Sequence, residues 1–420
     1  MGRVAIVQGV RTPFCRAGGK FHEIEADDLA AIAVRELIER VPVRKEEIDE
    51  LIFGNVISSI GNPARVIAVK GGLPISCPAF TISRNCASGM EAVVTGANQI
   101  LLGKSNIIIA GGTESMSHFP ITFPDSIKKF LSALSKGNLA KALMLFRPSM
   151  FKPKIPRLDD PLCNLVMGQT AELIARELKV TRQEQDAFAM LSQQRATEAT
   201  KNGRLAREIV PVPLPPTYQK MQQVDDGPRE NQSMEALASL KPIFDPLTGQ
   251  VTAGNSSQVT DGAVSLLLMS EEEAKKRGLE VLGYIRATAT VALEPSRMGL
   301  GPIYATHKIL KENQLTLDQI DLIEINEAFA AQIVALEKAF ASAEFCKKEL
   351  GIDQPLGQLD REKLNVNGGA IALGHPLAAS GARLLLTLLF ELKARKKKLG
   401  LATLCVGGGQ GEAVLVETAS

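Results

Sequence analysis

Cys86 stands in the run NCASGMEA, residues 85–92. A cysteine on a turn that opens a helix feels the positive end of the helix dipole and nearby unpaired N–H groups. Both favour the thiolate, so its pKa is expected to fall. Ala87, Ser88 and Gly89 are small and leave room for a reactant. The same residues also suit a small buried core cysteine, so the rest of the chain must decide. His375 lies in NVNGGAIALGHPLAASGAR (365–383), on a glycine turn with Pro376 at the start of a helix, where proline is best tolerated. A Cys–His pair, the imidazole taking the thiol proton, is the chemistry these two suggest. Cys405 precedes three glycines in LCVGGGQGEA (404–413), where backbone N–H groups are free to face a developing oxyanion. A buried cysteine before an ordinary turn, or a phosphate-cradling loop, fits the same letters; GGGQG is not GxGxxG, which weakens a dinucleotide reading. Asn326 and Glu327 open NEAFAAQ directly after the apolar run DLIEI, at a strand's carboxyl end, where α/β folds place working side chains. A plain helix cap is the alternative there.

The elements that must carry these residues alternate. Residues 4–9 predict a strand, 27–41 an amphipathic helix, 49–56 a strand, and NIIIAGG (106–112) a buried strand ending at glycines. The order predicts an α/β layered fold with a mostly parallel sheet. The second half repeats the plan: 321–325 matches 49–56, the helix at 376–393 matches the one after Cys86, and 401–411 matches 106–115. We read two α/β halves related by a pseudo-twofold, with His375 in the place of Cys86. The expected division is 1–118 with 256–275, an inserted loop or cap domain at 119–255, and 276–420. Within the insertion, prolines cluster at 211–216, one helical stretch covers 168–202, and DGAVSLLLMS (261–270) returns to the first half's sheet.

Composition excludes several classes. The 420 residues are 45% hydrophobic and 22% charged, with a net charge of +2, so charge predicts no nucleic-acid partner. Trp is absent and aromatics reach only 4%, which forces an aliphatic core rich in small residues. Six cysteines without CxxC spacing and four histidines without an HxxxH cluster predict neither disulfides nor a metal site. MGRVAIVQGVRTPF lacks a signal peptide's apolar centre, and no apolar run reaches 18 residues. The expectation is a reduced, cytoplasmic protein, with a mitochondrial form whose presequence has been removed as the alternative.

Taken together, NCASGMEA, GGTESMS (111–117), NEAFA, NGGAIALGHPLAASGAR and LCVGGGQG resemble the motifs of the thiolase family, in the family's order and over the chain from Arg3 onward. The resemblance implies a layered αβαβα fold and thiolytic cleavage of a 3-ketoacyl-CoA, with coenzyme A as co-substrate and no permanently bound cofactor. It implies Cys86 as nucleophile, His375 as its base, Cys405 as the acid–base thiol, Asn326 as holder of a water, and Gly407 N–H as an oxyanion donor. MGQTAE (167–172) and VTAGNSSQVTDGA (251–263) resemble the coenzyme-binding region, which implies contacts from Met167, Ser257 and Arg229. Val166 stands where short-chain biosynthetic members usually have His, and Ala378 where many have Gly. Both departures favour a degradative enzyme for longer chains over an acetoacetyl-CoA thiolase that condenses two acetyl-CoA. Ketosynthases of the same fold typically have His or Asn where Cys405 stands, which speaks against them. The resemblance also implies a homodimer or a dimer of dimers.

One segment has a different character. Eight basic residues lie between Lys128 and Arg157 with no acidic residue between Asp125 and Asp159, and Ile127, Phe130, Leu131 and Leu134 recur at helical spacing. A solvated lid whose lysines attract CoA phosphates is one reading. Docking of 127–157 on a membrane surface or on a protein is the other; thiolases of oxidation complexes carry a similar apolar element, and their partner is a hydratase/dehydrogenase subunit.

Overall fold

A computed structural model describes residues 2–153 and 159–419; of the basic segment, Lys154 and Arg157 lie outside the described residues. Its strands are β1 (Val4–Arg11), β2 (Cys15–Arg16), β3 (Glu50–Gly54), β4 (Ala79–Ile82), β5 (Ile107–Ser115), β6 (Val212–Leu214), β7 (Lys220–Gln222), β8 (Thr260–Ser270), β9 (Gly283–Ala292), β10 (Leu322–Ile325), β11 (Leu399–Val406) and β12 (Gln410–Glu417). The main sheet runs β10-β11-β12-β9-β1-β8-β5-β3-β4, with β2 beside β8.

The sheet is mixed rather than mostly parallel. β3 pairs in parallel with β4 and β5, and β10 with β11; β8 is antiparallel to β1 and β5, and β12 to β11 and β9. The cause is connectivity. β11 and β12 are joined by the tight glycine turn 407–409, which permits only antiparallel neighbours. β8 returns from the long insertion against the direction of both its neighbours.

The duplication is visible in the pairing. Outward from β1, the steps β8, β5, β3, β4 run antiparallel, antiparallel, parallel, parallel. Outward from β9, the steps β12, β11, β10 repeat this, and the parallel bridge Ile323↔Leu364 completes it. Asp49 and Asp321 anchor equivalent corners: Asp49 Oδ2 accepts from Asn106 N and Ile107 N, Asp321 Oδ2 from Lys398 N and Leu399 N. β1 and β9 meet at only Val4↔Ile285, Ala5↔Tyr284 and Ile6↔Gly283, the seam between the halves.

Two helices, Ser88–Leu101 and Leu377–Ala394, lie between the half-sheets and share one aliphatic core with Ile52, Ile108, Leu266, Leu404 and Val414. The second is buried nearly all round, as a central-layer helix must be. Outer helices Ala26–Glu39 and Pro63–Lys70 cover one half-sheet, and Gly301–Glu312 and Ala330–Ala341 the other, which makes five layers. The central helices touch through glycine: a Cβ on Gly89 would overlap the carbonyl oxygen of Ala378 and one on Gly381 would press on Met90, while Gly112 of β5 backs onto the same carbonyl. Both carry Ala-Ser-Gly, at 87–89 and 379–381. This register pairs Cys86 with Ala378, so His375 sits on the equivalent turn but three residues before the matching position, a correction to the sequence reading.

Between β5 and β8 the expected helical stretch 168–202 is two helices, Met167–Glu177 and Arg182–Lys201. Lys179 takes φ +52°, and Thr181 with Glu184 forms a reciprocal cap that starts the second helix afresh. Helices Asp125–Ser135 and Leu139–Leu145 form a hairpin around Phe130, Phe146 and Phe151, with ring centroids 5.9–6.3 Å apart. Among the described residues, no helix is long and apolar enough to cross a membrane.

Candidate active site

Cys86 occupies the turn between β4 and the Ser88–Leu101 helix, after Asn85 in the left-handed region at φ +45°. Asn85 Nδ2 donates to Gly407 O at 2.8 Å, fastening this turn to the glycine turn after β11. The backbone N–H groups of Gly407 and of Cys86 itself face the sulfur and favour its thiolate. They are outweighed. Burial pushes the thiol up to about 11, with Glu114 adding to the rise. The expected depression is therefore overturned: the helix start supplies donors, but loss of water costs the anion more.

Cys405 is 1% exposed near the end of β11, opposite Gly411 of β12. Burial raises its thiol still further, and the charge of Cys86 adds to the rise, so the two sulfurs are electrostatic neighbours although 319 positions (405 − 86) separate them.

His375 follows Gly374, whose φ of +103° turns the chain. Its backbone N–H donates to Gln258 O at 2.9 Å. Nδ1 lies 2.5 Å from Ser380 Oγ, and Ser380 Oγ–H donates to Pro376 O at 3.0 Å. Having spent its hydrogen, the Ser380 oxygen accepts from Nδ1–H, which leaves the lone pair on Nε2. Burial lowers the imidazole to about 4, helped by Arg383, so it is neutral at physiological pH. Asn326 Nδ2 is 3.5 Å from Nε2. Asn326 follows β10 and its N–H continues the ladder to Thr403 O; its Oδ1, buried, makes no hydrogen bond among the described residues. Glu327 turns the other way, held by Ser192 Oγ, Asn365 Nδ2 and Ile371 N, and builds the scaffold under the histidine loop.

Of the remaining residues, Met167 begins its helix beside the glycine turn: a Cβ on Gly407 would lie 3.5 Å from Met167 Sδ. Gly408 N–H donates to Asp160 Oδ2 at 2.7 Å, which ties the same turn to the insertion. Ser257 N–H donates to Ala328 O at 3.0 Å, next to Asn326. Arg229 stands apart. It is exposed, its N–H donates to Gln193 Oε1, and it borders a cavity of about 350 Å³ with Lys201 and Gln232 that neither thiol nor His375 lines.

The assembled groups are two thiols, a neutral imidazole with its lone pair inward, a buried amide and two convergent backbone N–H groups. That set suits covalent acyl transfer with proton exchange at a second sulfur. Residues 4–272 match the thiolase N-terminal domain and residues 279–418 the thiolase C-terminal domain. The chain belongs to the thiolase family. This thiolase is 40% identical to a 3-ketoacyl-CoA thiolase of Pseudoalteromonas translucida and 41% identical to one of Serratia proteamaculans, each alignment covering 99% of this chain and 97% of the relative. Among solved structures it resembles the Bacillus anthracis acetyl-CoA acetyltransferase (TM-score 0.87, 37% identity, covering 100% of this chain and 99% of that one). It also resembles human mitochondrial 3-ketoacyl-CoA thiolase in complex with CoA (TM-score 0.83, 34% identity, 100% and 98%). Sequence reasoning missed Ser380, which orients the imidazole of this thiolase. The repeated Ala-Ser-Gly was the available signal, because Ser88, like Ser380, donates to a backbone carbonyl of the turn before its helix.

Proposed function

We propose that this thiolase cleaves 3-ketoacyl-CoA with CoA, releasing acetyl-CoA and an acyl-CoA shortened by two carbons, as a step of fatty-acid β-oxidation. His375 Nε2 takes the proton of Cys86, and the thiolate attacks the 3-keto carbon. The C2–C3 bond breaks, leaving an acyl group on Cys86 and the enolate of acetyl-CoA. The new Nε2–H of His375 and a water held by Asn326 stabilise the enolate oxygen. Cys405 gives its proton to C2, then removes the thiol proton of incoming CoA. The CoA thiolate attacks the acyl-enzyme while the N–H groups of Cys86 and Gly407 hold the oxyanion, a donor of this kind being worth roughly 2.7–4 kcal/mol. Cys86 leaves and recovers its proton from His375. Met167 and Ser257 line the pantetheine path, and Arg229 attracts the phosphates.

Two adjacencies between distant segments support this reading: Cys86 beside Cys405, and Asn326 Nδ2 3.5 Å from His375 Nε2, with Asn326 N–H bonded to Thr403 O two residues before Cys405. Full-length relatives named 3-ketoacyl-CoA thiolase agree with it. The test is intact-mass detection of an acyl adduct with 3-ketoacyl-CoAs of graded length, together with C4 and C16 thiolysis rates. An adduct on Cys86 and preference for long chains support the reading. Turnover confined to C4 would favour the acetoacetyl-CoA enzyme, and absence of any adduct would remove the mechanism.

We further read residues 119–255 as a cap over the site and a dimer as the working unit. The hairpin within 127–157 exposes Leu131, Leu139, Leu143 and Met144 among its lysines, which supports docking on an anionic membrane surface or on a hydratase/dehydrogenase subunit. Failure of both liposome co-sedimentation and pull-down, with activity intact after its deletion, would defeat that part.

A further inference from the structure

The duplication gives the reaction site a twin, and the twin is occupied by the protein's own carboxylate. In the register set by the shared Ala-Ser-Gly, Ala378 is the counterpart of Cys86. Cys86 N–H faces the reacting sulfur; Ala378 N–H donates to Glu114 Oε2 at 3.3 Å. That carboxylate is fully buried. Val56 N reaches Oε2 at 3.2 Å, while Oε1 accepts from Ile57 N at 3.2 Å and Asn55 Nδ2 at 3.0 Å. Four donors on two oxygens, with no acceptor for a carboxyl hydrogen among them, favour the ionised carboxylate against the burial that pushes Glu114 up to about 7. The nest thus resembles an oxyanion hole with a resident anion in it.

We propose that Glu114 is a positioning residue for His375, a resident anion that clamps the turn Pro376–Ser380 so that Ser380 holds the imidazole in its working tautomer. The link is short. Glu114 grips Ala378 N, Ala378 lies between Pro376 and Ser380, and Ser380 Oγ joins Pro376 O to His375 Nδ1. Because Glu114 ends β5 and Asn55 follows β3, the clamp also locks the first half's sheet to the second half's central helix. A glutamine offers one acceptor oxygen and sets its NH₂ against two donors, so it cannot close the nest. The proposal rests on the thiolase reading for its kinetic consequence but not for its geometry, and the test separates the two.

Full-length Glu114→Gln is compared with wild type by thiolysis kinetics and by NMR of the imidazole N–H protons. His375→Asn identifies the His375 signal by its loss. The expected result is a kcat lower by about 10- to 100-fold, the scale of a small misplacement of a reacting group, with KM for CoA within about twofold and a displaced or exchange-broadened His375 Nδ1–H signal. Wild-type kcat with an unmoved signal would overturn the proposal, as would a lower kcat with the signal unmoved. If Glu114→Gln does not fold, Asn55→Ala, which leaves the carboxylate and removes one donor, must move the same signal. Should wild type show no thiolysis, the function fails, while the signal still decides whether Glu114 positions His375.

Discussion

Burial and hydrogen bonding pull Cys86 in opposite directions. With its thiol pushed up to about 11 by burial, Cys86 carries little thiolate at pH 7. Alkylation of Cys86 by iodoacetamide should therefore accelerate about tenfold per pH unit from pH 6 to 9 with no plateau; a plateau near neutrality would mean a resting thiolate–imidazolium pair. His375 carries the converse signature. Its imidazole is held near 4 against an ordinary 6.5, so the unfolded chain binds a proton that the folded one refuses. Stability from this group is full above pH 6.5 and drains as pH falls toward 4, by about 3 kcal/mol in total. Urea titrations should show the cost of His375→Asn shrinking between pH 7.5 and 5. These directions were not legible in the sequence, because desolvation depends on what folds over a residue. The helix-start argument for Cys86 found its donors and misjudged their weight. The residue types themselves were legible, since turns that present a sulfur or an imidazole need glycine and small neighbours written beside them.

The two central helices owe their spacing to residues without side chains. Gly112→Ala pushes a methyl into the carbonyl of Ala378 and should cost about 2–3 kcal/mol by the urea midpoint, with a larger proportional loss of kcat because the same carbonyl belongs to the histidine turn. Because Gly112 lies on β5, retention of wild-type stability would show that the second central helix can move off that strand. At this scale the alternation of apolar runs revealed which elements exist, and the order of 49–56, 85–101 and 106–115 against 321–325, 376–393 and 401–411 revealed the repeat. Strand direction escaped, since β8 reaches the sheet only after an insertion whose path no local pattern records. The break at Lys179 also escaped, because Thr181 and Glu184 read as ordinary helix interior until their cap is seen.

Across the molecule, Arg11 ties the insertion to the sheet. Its guanidinium, fully buried, meets Glu208 at 2.7 Å and Asp225 at 2.7 and 2.8 Å, while Thr387 of the central helix donates to Glu208. Arg11→Ala strands two carboxylates in the interior and should cost about 3–5 kcal/mol, measured by thermal or urea unfolding; a loss under 1 kcal/mol would show that water reaches the cluster. Nothing near Arg11 in the sequence announces these partners, which lie about 200 positions away. The protonated state of both sulfurs of the candidate site has a consequence between turnovers. Peroxide attacks thiolates far faster than thiols, and a resting site holding almost none is a poor target. Idle enzyme should outlast enzyme acylated in the absence of CoA in hydrogen peroxide, because only the latter leaves Cys405 waiting as a thiolate.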